Sequence, residues 1–290
     1  MFDLFDNEEM KGLEKEAGEI EGYKDKLPKG YLSVSQVTQY LKCGEAYYRR
    51  YVLQEAIPSN SFQVQGRGVH KAAEHLHLKL IDQEPFTVQE MVQVYSDLHD
   101  AEIVDATIDP EEGTPGVIKD VGISLTKKYF NVAMGTEVDP LTGFVIPKVR
   151  PIAAERVFRT EIVTEHTDPI PFMGVIDLEE QDAIADLKTK KKSSPASEAD
   201  NSVQLSIYAH VTGKPIVRLD QLVKPTKKLP TRFIRLSSTR TRGEVAHALD
   251  IVAEIADDIS AGRFRKTTPD AWWCTEKWCP YWMQCRGRKR

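Results

Sequence analysis

Two aspartates and a lysine are spaced so that one sheet could gather them. Asp177 stands within Met-Gly-Val-Ile-Asp-Leu, and nine residues later comes Asp186-Leu187-Lys188. Residues two apart on a strand share a face, so Asp186 and Lys188 are presented side by side. If the strand-like segments 172–179 and 183–189 pair, Asp177 reaches the same spot. Two carboxylates and an ammonium suit a divalent ion bound by oxygen, of the Mg²⁺ kind, with room left for phosphate oxygens. Such an ion lowers the pKa of its water, while a lysine can orient a nucleophile or offset charge developing on phosphorus. The same triplet is also an ordinary ion pair when it lies on a solvated strand face. The flanks Val175, Ile176, Ala183, Ile184, Ala185 and Leu187 favour the first reading. A charge in a core-like strand requires a partner or an ion.

Other residues could join this group. Gly66-Arg67-Gly68-Val69-His70 opens a helix upstream, and its imidazole can ligate a metal. Gln204 and Tyr208 stand at i, i+4 on a helix after the hairpin, so they share a face. Glu155, one strand earlier, is either a supporting acid or a surface glutamate, and His75 and His77 read as a solvated helix face. In this order, Gly-x-x-x-His, Gly-x-x-Asp, Asp-x-Lys and Gln-x-x-x-Tyr resemble the RecB-like branch of the PD-(D/E)XK nucleases, over roughly Ser33–Cys285. Ile176 stands where the motif's proline would be. The resemblance implies His70, Asp177, Asp186 and the Leu187 carbonyl as ligands of Mg²⁺ or Mn²⁺, and Asp177, Asp186 and Lys188 as the catalytic set. It gives Gln204 and Tyr208 a supporting or DNA-contacting role. The implied activity is metal-dependent exonucleolytic hydrolysis of DNA, in recombination, repair or end processing. A non-catalytic DNA-binding or assembly subunit with the same fold, and a nuclease of the CRISPR-adaptation kind, are the alternatives.

Cysteines make a second constellation. Cys274, Cys279 and Cys285 are spaced Cys-x4-Cys-x5-Cys, and Cys43 stands far upstream. Structural zinc sites favour two tight pairs, so a one-plus-three set suits an iron–sulfur cluster held by four thiolates better. Zinc and incidental buried thiols remain alternatives. All four tryptophans, Trp272, Trp273, Trp278 and Trp282, lie among these cysteines and could limit solvent access to a cluster. The arrangement resembles the RecB-like subgroup with a [4Fe-4S] staple, which includes the AddB helicase-nuclease subunit and CRISPR-associated exonucleases.

The elements that must position these residues follow from periodicity. Ser33 with Gln36, and Thr87 with Glu90, read as capping boxes opening helices to about Tyr51 and Val104. Helices are also expected over 66–82, 117–134, 203–211 and 244–260, with strands at 152–160, 172–179, 183–189, 216–223 and 231–236. This predicts an α/β domain over 31–290: a central mixed sheet flanked by helices, as in restriction-endonuclease-like cores. A helical N-terminal layer and a cysteine-rich C-terminal cap complete it. Residues 1–30 read as a flexible acidic leader, whose first six residues are either part of a disordered acidic tail or a short docking peptide for a recombination or replication protein.

In 290 residues the formal charge is -5, which argues superficially against a nucleic-acid partner. Its distribution argues the other way. Residues 1–26 hold four bases and nine acids, 27–185 hold 14 and 24, and 186–290 hold 21 and 11. Lys190 and Lys191, beside the proposed catalytic lysine, are candidate phosphate contacts for DNA ends or single strands, with binding tolerant of sequence. Basic runs at 224–228, 263–266 and 286–290 extend the pattern. There is no 18-residue apolar run for a membrane span and no basic–apolar secretory leader, so the expected setting is cytoplasmic, a host cytoplasm if the protein is viral. No helicase phosphate loop occurs, so any unwinding belongs to a partner.

Overall fold

A computed structural model describes residues 23, 25–139, 142–165 and 167–287. Nearly all of the acidic leader, its docking-peptide motif and the last three residues of the 286–290 basic run lie outside the described residues. Strand β1 (Leu32–Ser33) leads into helix α1 (Val34–Lys42). Ser33 caps α1 as expected, its hydroxyl accepting from the Gln36 N–H. The Gln36 side chain does not return that bond. It donates to the Tyr31 carbonyl and accepts from the Tyr47 hydroxyl. The helix expected to reach Tyr51 breaks at Cys43, whose backbone is extended. It resumes as the short α2 (Gly44–Tyr47) and a π-helical turn over Tyr48–Val52.

Helix α3 (Ser61–Ile81) starts earlier than the periodicity suggests, because Asn60 and Gln63 form a reciprocal capping box. The Thr87–Glu90 box opens α4 (Val88–Glu102), and Thr114 caps α5 (Pro115–Ala133). Strands β2 (Pro151–Thr164), β3 (Thr167–Glu180) and β4 (Ala183–Lys190) follow. Next come α6 (Ser197–Asp200) and α7 (Val203–Thr212), the latter closed by left-handed Gly213. The chain continues through β5 (Ile216–Val223), β6 (Arg232–Thr239), α8 (Arg242–Ser260) and α9 (Trp282–Arg286).

The strands form one six-stranded mixed sheet ordered β1-β3-β4-β5-β6, with β2 also paired to β3. Adjacent β4 and β5 are parallel, whereas β3–β4 and β5–β6 are antiparallel. A parallel pair needs a crossover, and α6 and α7 supply it. This is the restriction-endonuclease-like α/β core that the motif order predicts.

The described chain divides into two compact units. One comprises segments within 1–57, 158–174 and 243–290. Here Tyr47 packs against Tyr40, Tyr51 and Phe264, and the Gly44 N–H donates to the Arg265 carbonyl. Gly174 belongs to this unit. A Cβ there would lie 2.6 Å from the Phe158 ring, so glycine permits that ring to cross β3 three residues before Asp177.

The other unit comprises 58–157 and 175–242 and contains the main apolar cluster. Val69, Ala72, Ala73 and Leu76 of α3 meet Met91 and Tyr95 of α4 and Leu125 and Tyr129 of α5. Leu178, Ala185, Leu187 and Leu222 supply the sheet's side of it. Each large side chain withdrawn from water here contributes about 1.5–3 kcal/mol. A Cβ on Gly68 would come within 2.8 Å of the Tyr95 ring. Glycine therefore sets the closeness of α3 to α4 just before His70. His77, expected on a solvated face, is instead buried, with Nε2 2.8 Å from the Tyr129 hydroxyl.

Candidate active site

The second unit brings five elements to one place. His70 comes from α3, Glu155 from β2, Asp177 from β3, Asp186 and Lys188 from β4, and Gln204 and Tyr208 from α7. Leu178 faces Ala185 and Glu179 faces Ile184 across the β3–β4 pair. Continuing that register sets Asp177 opposite Asp186. At this point Asp177 Oδ2 accepts from the Leu187 N–H at 2.8 Å, so a side chain takes a backbone donor.

Donor atoms of His70, Glu155 and Asp177 all lie within 4.8 Å of one another. His70 Nδ1 is 3.5 Å from Asp177 Oδ2 and 4.0 Å from Glu155 Oε1, yet this buried nitrogen has no hydrogen-bond partner. The Leu187 carbonyl also acts on His70, favouring its protonated form. Burial outweighs this and Asp177, and holds the imidazole below its usual pKa. A neutral imidazole is the form that ligates a metal. Glu155 reaches the group from a left-handed backbone, φ 45°, within β2. That conformation is costly for a non-glycine residue and re-aims its side chain out of the strand's alternation. Burial first, then the charges of Asp177, Glu74 and Asp186, push its carboxyl well up.

Asp186 is not in that close triad. Its Oδ1 accepts from Lys188 Nζ at 2.8 Å and from Gln204 Nε2 at 2.7 Å. Gln204 also donates to the Tyr208 hydroxyl at 2.9 Å, and Tyr208 donates to the Val175 carbonyl at 2.6 Å. The i, i+4 pair thus connects β4 to β3 through α7. Burial pushes the Asp186 carboxyl up to about 6, against Lys188 and with help from Asp177. For Lys188, burial alone would lower the pKa, but Asp186, Asp177 and Glu155 outweigh it and keep the ammonium protonated.

The donor set fits a divalent ion, because two carboxylates and a buried imidazole nitrogen without a hydrogen-bond partner among the described residues converge there, and Lys188 only partly offsets the charge of Glu155. Such a mixed oxygen and nitrogen set suits Mn²⁺ as well as Mg²⁺. Lys190 binds Glu198 at 2.8 Å, and Lys191 lies 3.6 Å from Glu112. Neither enters the triad, although Lys190 is near enough to lower the Asp186 pKa. The cleft beside the triad also contains His77, Tyr129 and Asp220, which sequence reasoning did not connect with the site. The seven-residue, two-turn separation of His70 and His77 on one helix could have hinted at this.

All four cysteines belong to the first unit, none is in a disulfide, and all are half-buried. No three of their sulfurs come within 4.8 Å of one another. Burial, then the charges of Cys43, Cys274 and Cys285, push the Cys279 thiol up. Arg286 Nη2 donates to Cys274 Sγ at 3.2 Å.

A mixed sheet presenting Asp177 and Asp-x-Lys beside a helix-borne histidine is consistent with a metal-dependent nuclease, and the family match carries that class. Residues 31–286 match the PD-(D/E)XK nuclease superfamily, and the chain belongs to that family. Its members use divalent metals, and a nuclease of this fold binds DNA. No curated protein matches the chain. Among solved structures, the crystal structure of SSO0001 is similar with a TM-score of 0.43 and 11% identity, covering 99% of this chain and 100% of that one. No helix among the described residues is long and apolar enough to cross a membrane.

Proposed function

We propose that this chain is a RecB-like exodeoxyribonuclease that hydrolyses phosphodiester bonds at DNA ends or on single strands, in recombination, repair or end processing in the cytoplasm. The convergence of His70, Glu155 and Asp177 on one point, next to the Asp186–Lys188 pair, carries this reading. His70, Glu155 and Asp177 would hold Mg²⁺ or Mn²⁺, with Asp186 and the Leu187 carbonyl completing the set. Once bound, the ion supplies Lewis acidity, activating water and polarising a phosphoryl oxygen. Lys188, kept protonated by its acidic neighbours, offsets the negative charge that grows on phosphorus as the water oxygen adds and the leaving sugar oxygen departs. Gln204 and Tyr208 hold Asp186 in place and touch no reacting atom. Lys190 and Lys191 contribute charge along the phosphate backbone.

Cys43, Cys274, Cys279 and Cys285 hold a [4Fe-4S] cluster in this reading. In its support, the four cysteines are free of disulfides and the charges of Cys43, Cys274 and Cys285 act on the Cys279 thiol, although no three of the sulfurs come within 4.8 Å of one another. The leader would dock a recombination or replication partner.

The test is anaerobic purification with metal and sulfide analysis, followed by digestion of end-labelled DNA with and without Mn²⁺. Asp186→Ala and Lys188→Ala should each lower cleavage by at least about 100-fold. Unchanged cleavage in both removes the mechanism, and a colourless, zinc-loaded protein removes the cluster.

A further inference from the structure

The cysteine-rich segment carries a surface that cleavage chemistry does not use. Trp272 is 67% exposed and Trp278 is 48% exposed. Their rings stand edge to face with centroids 5.9 Å apart, and Trp273 packs against Trp272 in the same manner at 5.6 Å. Trp273 is fixed from behind, its indole N–H donating to the Lys42 carbonyl at 3.2 Å. Indole rings this exposed are costly to leave in water, and here they are held in a rigid group.

Charge along this segment has one sign in excess. Lys277 Nζ lies 5.4 Å from the Trp278 ring centroid, and Arg286 stands over Trp282 at 5.6 Å. Residues 263–287 hold five bases against two acids, Asp270 and Glu276. Aromatic faces interleaved with cations match a polyanion that displays flat apolar faces. Single-stranded DNA has that chemistry, because its bases can splay out and stack. A duplex does not, since its bases already stack on one another.

We infer that Trp272 and Trp278, with Lys277 against the Trp278 ring, form a stacking platform that holds an unpaired DNA strand by its bases. This deepens the nuclease reading and rests on it. Stacking on indole is tolerant of sequence, as every base has a π face, and the cations would follow the phosphates.

The full-length protein is tested in EDTA, so that no strand is cut, by fluorescence anisotropy with labelled oligo(dT) and with an abasic strand of equal length. Wild type should prefer oligo(dT), Trp272→Ala should bind it about tenfold more weakly with the abasic strand unaffected, and Trp272→Phe should retain most of the affinity. Equal binding of the two strands by wild type overturns the platform without needing any variant. So does an equal loss on both strands in Trp272→Ala. Cleavage of end-labelled DNA in Mn²⁺ by the wild type reports separately on the nuclease reading, so the two failures are distinguishable.

Discussion

Burial beside Asp177, Glu74 and Asp186 raises the Glu155 carboxyl well above its ordinary range. The metal-free fold therefore favours the protonated acid, as it does for Asp186, whose value rises to about 6. A raised folded-state pKa contributes stability that is present below the ordinary carboxylate value and lost as pH rises through the folded value. Metal-free protein should thus lose melting temperature between about pH 4 and pH 7 on this account, and Mn²⁺ should stabilise it more at pH 8 than at pH 5. Glu155→Gln should abolish most of that ion-induced gain while raising the metal-free melting temperature at pH 8 by about 3 °C, as thermal scans would show. A fall in the metal-free value would refute the assignment. Asp186 and Lys188 were legible in the sequence because strand alternation puts them on one face, and Asp177 because pairing of the two strands brings it opposite Asp186. Glu155 was not, since its aim depends on a left-handed residue that no local pattern announces. His77 was misread because its partner Tyr129 lies 52 residues away, and only tertiary packing brings them together.

At the scale of elements, the site depends on how closely α3 and α7 approach their neighbours. Gly68→Ala places a methyl against Tyr95, and overpacking of this kind costs about 1–3 kcal/mol. Urea unfolding should register that loss, and the Mn²⁺ concentration needed for half-maximal cleavage should rise as His70 moves. Tyr208→Phe removes the donor to the buried Val175 carbonyl and frees Gln204 from one partner. Leaving such a group unsatisfied costs about 1–3 kcal/mol. Its signature is a lower kcat with little change in ion-induced stabilisation, because Tyr208 belongs to none of the three close donors. Most elements were readable from hydrophobic period and capping residues. Boundaries failed where the signal was local but easily overlooked, as in the Asn60–Gln63 box. They also failed where tertiary contact prevailed, as where the extended backbone of Cys43 divides α1 from α2.

For the whole molecule, the uneven charge of the sequence becomes an expectation about binding. DNA affinity should fall steeply with salt although the chain is acidic overall, because the proposed phosphate contacts belong to its basic third. A salt-independent affinity in anisotropy titrations would contradict this. Cys285→Ser should remove the visible absorbance expected of a cluster and lower the melting temperature, since the four cysteines span most of the chain. Retained colour and stability would exclude a four-thiolate staple.

The discontinuous units impose an order on biosynthesis. Segments within 1–57 and 158–174 await residues 243–290 before their unit is complete, whereas 58–157 and 175–242 are already synthesised. Chains grow on the ribosome at about 5–20 residues per second, and domains fold as they emerge. The triad, Asp186 and Lys188 can therefore assemble on a nascent chain while Tyr47 still lacks Phe264 and Cys43 still lacks its three later cysteines. A ribosome stalled once Arg242 has cleared its exit tunnel would display the proposed cleavage site before the tryptophan-bearing segment has emerged.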